Sequence, residues 1–166
     1  MDPLIKIFLL LTTFLMALIA GLFYSFSCSV NPGLHRLSDS EYIKAMKSIN
    51  RAILNPLFFA SFIGTLIVTP GTTALYLKYV GADGSFYMLL LASIIYGVGA
   101  FGVTVLGNAP LNNALDSIEF TNLPHREIRS RRLGFETPWN RLHTIRTIAN
   151  LVSLLLVVGS LVFRIK

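Results

Sequence analysis

His143 stands four residues after Trp139 and three before Arg146, so a helix through this stretch carries an indole, an imidazole and a guanidinium on one face. The imidazole is the one group of the three whose ordinary pKa suits proton transfer near neutral pH, and a guanidinium can stabilise an oxyanion. Asn150, Ser153 and Ser160 continue the same stripe. A second polar cluster, Gly107-Asn108-Ala109-Pro110-Leu111-Asn112-Asn113, closes a long apolar run. Asn108 and Asn112 share a helical face, while Pro110 removes a backbone donor and crowds the carbonyl of Leu106, which predicts a kink or opening there. Asn31-Pro32 and Asn55-Pro56 mark two further ends of apolar runs.

These residues must be held by membrane helices. The chain has 166 residues, of which 54% are hydrophobic and only 13% charged, against about 25% charged in a soluble domain. The apolar runs predict an all-α fold, a four-transmembrane-helix bundle forming one domain over residues 1–166, with spans at about 4–30, 56–80, 85–115 and 138–164. Asp2-Pro3 suits a helix start, and Asn31-Pro32-Gly33 suits the end of the first span. Residues 37–53 read as an amphipathic helix along the interface, capped by Ser38 or Ser40, with Tyr42, Met46, Ile49 and Ile53 on one face. Thr69-Pro70-Gly71 predicts a kink or a partly unwound turn in the second span, and Ser85 a cap for the third. Residues 116–136 read as a solvated connection, with Thr137-Pro138 restarting the helix. Gly21, Ser25 and Cys28 in the first span, and Ser93, Gly97, Ala100, Thr104 and Gly107 in the third, form small-residue strips suited to close helix contact and to oligomerisation.

Several function classes lose support on this reading. The net charge of +6 comes from 14 basic residues. Ten of these fall in or beside the segments 31–55 and 116–146, which speaks for membrane topology rather than nucleic-acid binding. Both segments are expected in the cytoplasm, with Lys6, Lys78, Arg164 and Lys166 on the other side. Gly97-x-Gly99-x-x-Gly102 matches a dinucleotide fingerprint, but no strand precedes it and no acidic partner follows. Cys28 is the sole cysteine and reads as a buried, inert thiol. His35, His125 and His143 lack the spacing of a metal site, and no span carries a carboxylate of the kind an ion-coupled transporter holds at midplane.

In a four-span bundle the ends of spans one and three meet the starts of spans two and four at one surface. Asn31, Asn55, Asn108, Asn112, Trp139, His143, Arg146 and Asn150 therefore gather at one mouth and predict a pocket open to it. The alternatives are structural: asparagines that satisfy freed backbone groups, an arginine that snorkels or binds lipid phosphate, and a histidine that only hydrogen-bonds.

The chain resembles the anthrone oxygenase-like family of small four-span membrane proteins. The resemblance runs over nearly the whole chain, through the Gly21 to Pro32 helix end, Asn50-Arg51-Ala52-Ile53-Leu54-Asn55-Pro56, Asn108-Ala109-Pro110-Leu111-Asn112 and Trp139-x-x-x-His143-x-x-Arg146-Thr147. It implies oxygenation of an anthrone-type polyketide, or of another hydrophobic aromatic or quinol, with dioxygen as co-substrate and no recognised metal or flavin. On that reading His143 takes a proton, Arg146 with Asn108 and Asn112 stabilises the oxyanion, and Trp139 and Phe135 stack on the substrate. Asn31, Asn55 and Asn150 would complete the binding pocket. The rival is a non-enzymatic four-span module that binds a lipid or a partner protein. The expected location is the bacterial inner membrane, with membrane lipids and a hydrophobic small molecule as partners.

Overall fold

A computed structural model describes residues 2–119 and 123–162, so the expected end of the fourth span at residue 164 lies outside the described residues. Five helices follow one another: α1 (Pro3–His35), α2 (Asp39–Ala52), α3 (Pro56–Tyr79), α4 (Gly84–Asp116) and α5 (His125–Val162). No strand occurs among the described residues. α1, α3, α4 and α5 are each long and apolar enough to cross a membrane, as an all-α bundle of four spans requires. Adjacent packing runs α1 to α3, α3 to α4, α4 to α5 and α5 back to α1. Large apolar side chains such as Leu57 and Leu106 point outward, 84% and 83% exposed, where lipid would cover them.

The helix starts follow local chemistry. Asp2 accepts from the Leu4 N–H at 2.7 Å, Asn55 from Phe58 at 3.0 Å and Asp83 from Phe86 at 2.9 Å. Asp83 thus caps α4, and Ser85, expected in that role, is buried within the first turn. Ser38 caps α2, with the Glu41 carboxylate accepting from the Ser38 backbone.

The helix boundaries expected at Asn31-Pro32-Gly33 and Thr137-Pro138 do not occur, and the prolines expected to kink or open α3 and α4 lie inside continuous helices. α1 passes through Asn31-Pro32-Gly33 to His35, and α4 passes through Pro110 to Asp116. The same device precedes both prolines: a wide turn in which Asn31 donates to the Phe26 carbonyl and Ala109 to the Thr104 carbonyl, five residues back instead of four. The wide turn lodges the ring without ending the helix. α3 likewise continues past Pro70, and Thr69, Thr72 and Thr73 hydroxyls donate to carbonyls four residues back at 2.7–2.9 Å. α5 begins at His125, well before Thr137-Pro138. Its first turns are supported by the ion pairs Arg131–Glu127 and Arg132–Glu136, and they bury Ile128, Arg132 and Phe135. At 38 residues, α5 is about 57 Å long, roughly twice the hydrocarbon thickness, so it projects well beyond the bilayer.

Two apolar cores result. One fills the bundle around Met16, Phe23, Phe62, Tyr96 and Val157. The other lies at the cytoplasmic-expected mouth, where α2 lays Tyr42, Ile43 and Met46 onto Leu34, Leu115, Phe135 and Trp139. Arg132 clasps this second core, donating to the Leu37 and His35 carbonyls at 2.8 and 2.9 Å and pairing with Asp39 and Glu136. The small-residue strips divide: on α4 Ala100 is buried, Ser93 meets the Thr73 hydroxyl at 3.0 Å and Gly107 packs against Leu142, as close helix contact requires, whereas the α1 strip does not pack within the bundle. Gly21, Ser25 and Cys28 face outward, so the thiol is exposed on the lipid-facing side rather than buried against a helix. On α4 the tightest approaches fall at Gly99 against Ala149 and at Gly107 against Leu142, because the wide turns over Tyr96–Gly102 and Thr104–Asn108 rotate the packing face.

Candidate functional site at the bundle mouth

The seam between the two cores holds Trp139, His143 and Arg146. Their helical spacing stacks the indole on the imidazole, 5.1 Å between centroids and 11° from parallel. From α1, Phe23 meets the imidazole edge-on at 5.9 Å and Phe26 lies 6.0 Å away. The Arg146 guanidinium sits over Phe23 at 4.4 Å and within 5.1 Å of the Trp139 ring.

The hydrogen bonds assign the histidine tautomer. Arg146 donates to Nδ1 of His143 from Nε at 3.2 Å and from Nη2 at 3.1 Å, and a guanidinium can only donate, so Nδ1 carries a lone pair. The ring proton therefore lies on Nε2, 3.0 Å from the Ser27 hydroxyl, which itself donates to the Phe23 carbonyl at 3.1 Å. Thr147 offers a more distant oxygen to Nε2 at 3.4 Å. His143 is 2% exposed and Arg146 8%. Arg146 also reaches Thr104 at 3.4 Å, yet forms no ion pair among the described residues. A buried cation with only neutral partners is costly, and an anion placed beside it would offset that cost.

Two spaces flank this trio. An inner, largely enclosed pocket of about 100 Å³ is walled by Phe23, Phe26, Phe58, Trp139 and Arg146, with Asn50, Thr104 and Asn112 as polar groups. It shares Asn50, Leu54, Ala109 and Asn112 with a neighbouring, more open vestibule of about 120 Å³, where Arg51 pairs with Asp116 at 2.8 Å. An outer, open cleft of about 520 Å³ lies on the other side, lined by Ser27, Asn31, His35, Glu136, Asn140 and His143. Arg146 lines the inner pocket and His143 the outer cleft, so the two side chains together form part of the wall between them.

The other residues singled out from the sequence divide. Asn112 accepts from the Trp139 indole N–H at 2.8 Å, and Asn108, fully buried, donates to the Trp139 carbonyl at 3.2 Å. Asn112 thus braces the indole and Asn108 the main chain that carries it, and the Asn108 side-chain oxygen has no partner among the described residues. Asn150 is buried one turn below Arg146 with neither amide atom paired. Asn31 lines the outer cleft. Asn55 is spent on the α3 cap and on the Ala52 carbonyl at 2.8 Å. Phe135 packs between Tyr42 and Trp139 in the second core rather than lining the inner pocket. Phe23, Phe26, Ser27, Asn50 and Thr104 were not among the expected site residues; Phe23, Phe26 and Ser27 lay within the Gly21 to Pro32 segment and Asn50 within the Asn50 to Pro56 motif, but nothing in their types marked them for a site.

Among the described residues no three His, Cys, Asp or Glu side chains converge on a point that could hold a metal ion. A family model described as Anthrone oxygenase matches residues 57–156, more than half of the chain. No curated protein and no solved structure matches.

Proposed function

The chain belongs to the anthrone oxygenase family, and on that premise we propose that it is a membrane oxygenase that converts an anthrone-like or other acidic aromatic substrate to a quinone with dioxygen. The observation that carries this reading is the buried Arg146, held without a carboxylate against an enclosed aromatic pocket. Such a site favours the anionic form of a flat, apolar molecule.

An anthrone is a carbon acid whose methylene loses a proton to give an enolate. His143 at Nδ1 is the base, and the enolate oxygen replaces that nitrogen as acceptor of the Arg146 N–H groups. The electron-rich anion reduces dioxygen and the new carbon–oxygen bond forms a peroxide. Return of the proton gives the hydroperoxide, which loses water as the second methylene hydrogen leaves. The balance is one anthrone and one dioxygen to one quinone and one water, the carbon losing four electrons and dioxygen gaining them. Trp139, Phe23 and Phe26 hold the ring, with Asn112 fixing the indole and Asn108 the Trp139 main-chain carbonyl.

The inner pocket of about 100 Å³ is smaller than the roughly 300 Å³ or more of a typical ligand site, so it accepts the reacting ring while the rest of the substrate extends through the vestibule past Leu54. The loops 31–55 and 116–137 lie in the cytoplasm of a bacterial inner membrane on this reading. Purified protein with anthrone under oxygen tests it: quinone formation disappears in the His143→Ala/Arg146→Ala double variant. Unchanged formation in that variant would remove both residues from catalysis, and ligand binding without turnover by the native chain would favour a binding module.

A further inference from the structure

We propose that His143 passes the substrate proton through its ring from the inner pocket to the outer cleft, with the Ser27 hydroxyl as the first acceptor on the outer side. The inference rests on the oxygenase reading for its substrate, and on two observations for its route. Nδ1 faces Arg146, which lines the inner pocket, whereas Nε2–H faces Ser27, which lines the open cleft. The imidazole therefore lines the outer cleft itself and meets the inner pocket through Arg146, which covers Nδ1.

A relay is needed because of charge. A proton taken at Nδ1 makes an imidazolium beside the Arg146 guanidinium, two buried cations within hydrogen-bond distance before the substrate anion has settled. Release of the Nε2 proton to Ser27 restores a neutral ring, now protonated at Nδ1, as the Ser27 hydroxyl turns from the Phe23 carbonyl and hands its own proton to water in the cleft. The proton balance closes when the ring is reprotonated at Nε2 and returns the Nδ1 proton to the peroxide. The charged groups facing the ring are Arg146 on its own helix, Glu136 one cleft wall away on that helix, and His35 and Arg36 from the end of α1. Glu136 is already committed to His35 at 2.7 Å and to Arg132 at 2.8 Å, so it does not compete for Nε2. Ser27 is a positioning and relay residue, since it touches His143 and not the inner pocket.

The relay has a readout that needs no oxidation. In heavy water without oxygen, the full-length protein exchanges the methylene hydrogens of anthrone for deuterium, followed by mass. Ser27→Ala lowers this exchange roughly tenfold, a fraction of what general acid–base catalysis contributes, while Ser27→Thr keeps it. Ser27 is exposed to the cleft and Thr147 remains near Nε2, so the alanine variant leaves no buried orphan and folds. Equal exchange in the native chain and Ser27→Ala, with quinone still formed under oxygen, overturns the relay and leaves the oxygenase intact. Exchange that depends on Ser27 but leads to no quinone under oxygen upholds the relay and overturns the oxygenase. Absence of both exchange and oxidation in the native chain overturns both.

Discussion

Arg146 holds the Nδ1 lone pair of His143 with two N–H groups, at 3.2 and 3.1 Å, and has no carboxylate of its own among the described residues. On the proposed reading the pair is a neutral base locked by a cation, unlocked when an anion enters the pocket and draws the guanidinium away. The base and the anion site are thereby coupled, and each variant of Arg146 reports on both.

Arg146→Met separates catalysis from stability. The change removes a buried cation, which is often neutral or favourable by about 1–4 kcal/mol when a well-packed apolar residue replaces it. It also leaves Nδ1 of His143 without a donor, at a cost of about 1–3 kcal/mol. The two nearly cancel, so the thermal midpoint stays close to that of the native chain. Quinone formation should fall by about a hundredfold or more, the scale of losing an oxyanion donor. A large loss of stability would mark Arg146 as structural instead.

Trp139 and Asn112 act as a unit through the 2.8 Å indole hydrogen bond. Trp139→Phe keeps a ring over His143 but strands the Asn112 carbonyl, and Asn112→Ala strands the indole N–H. Each costs about 1–3 kcal/mol. The double variant costs less than their sum, and a double-mutant cycle by denaturant unfolding in detergent measures a coupling of about 1 kcal/mol. Strict additivity would deny the bond.

Arg132 should behave as the clasp of the cytoplasmic-expected core. Arg132→Ala removes the donor to two carbonyls and two carboxylates and leaves Glu136, itself 6% exposed, without that partner. A loss of about 3–5 kcal/mol is expected, as for other broken buried pairs, read as a lowered thermal midpoint. Retained stability would show that α2 and the start of α5 are held by apolar packing alone.

Two glycines on α4 test the packing register. A Cβ at Gly99 would lie 2.6 Å from the Ala149 Cβ, close to the partner backbone, whereas one at Gly107 would lie 2.8 Å from the flexible end of Leu142. Gly99→Ala should therefore cost about 1–3 kcal/mol and Gly107→Ala less, by the ordinary cost of overpacking. The reverse order would mean that α4 and α5 meet in another register.

The number of spans and their shared mouth were legible because twenty-residue apolar runs leave lipid-spanning helices as the simplest solution. The helix ends were not. Pro32 read as a helix end, Pro138 as a helix start, and Pro70 and Pro110 as kinks, yet each sits inside a continuous helix. Sequence shows the missing donor of a proline but not the wide turn that accommodates Pro32 and Pro110, and away from water the chain gains nothing by opening. The Trp139, His143 and Arg146 face was legible because spacing on one helix fixes a shared side. The pairing of Asn112 with the indole, the aromatic wall from Phe23 and Phe26, and the spending of Asn55 on a cap depend on register between helices. Side-chain type alone carries no information on that register.

The most direct measurement follows the oxygen atom. Purified protein in lipid nanodiscs is given anthrone under isotopically labelled dioxygen, and the new quinone carbonyl is examined by mass. The native chain is expected to place one labelled atom there at a rate well above protein-free nanodiscs, and Arg146→Met to lose that excess while still folding. Equal rates for the native chain, Arg146→Met and protein-free nanodiscs would contradict the account.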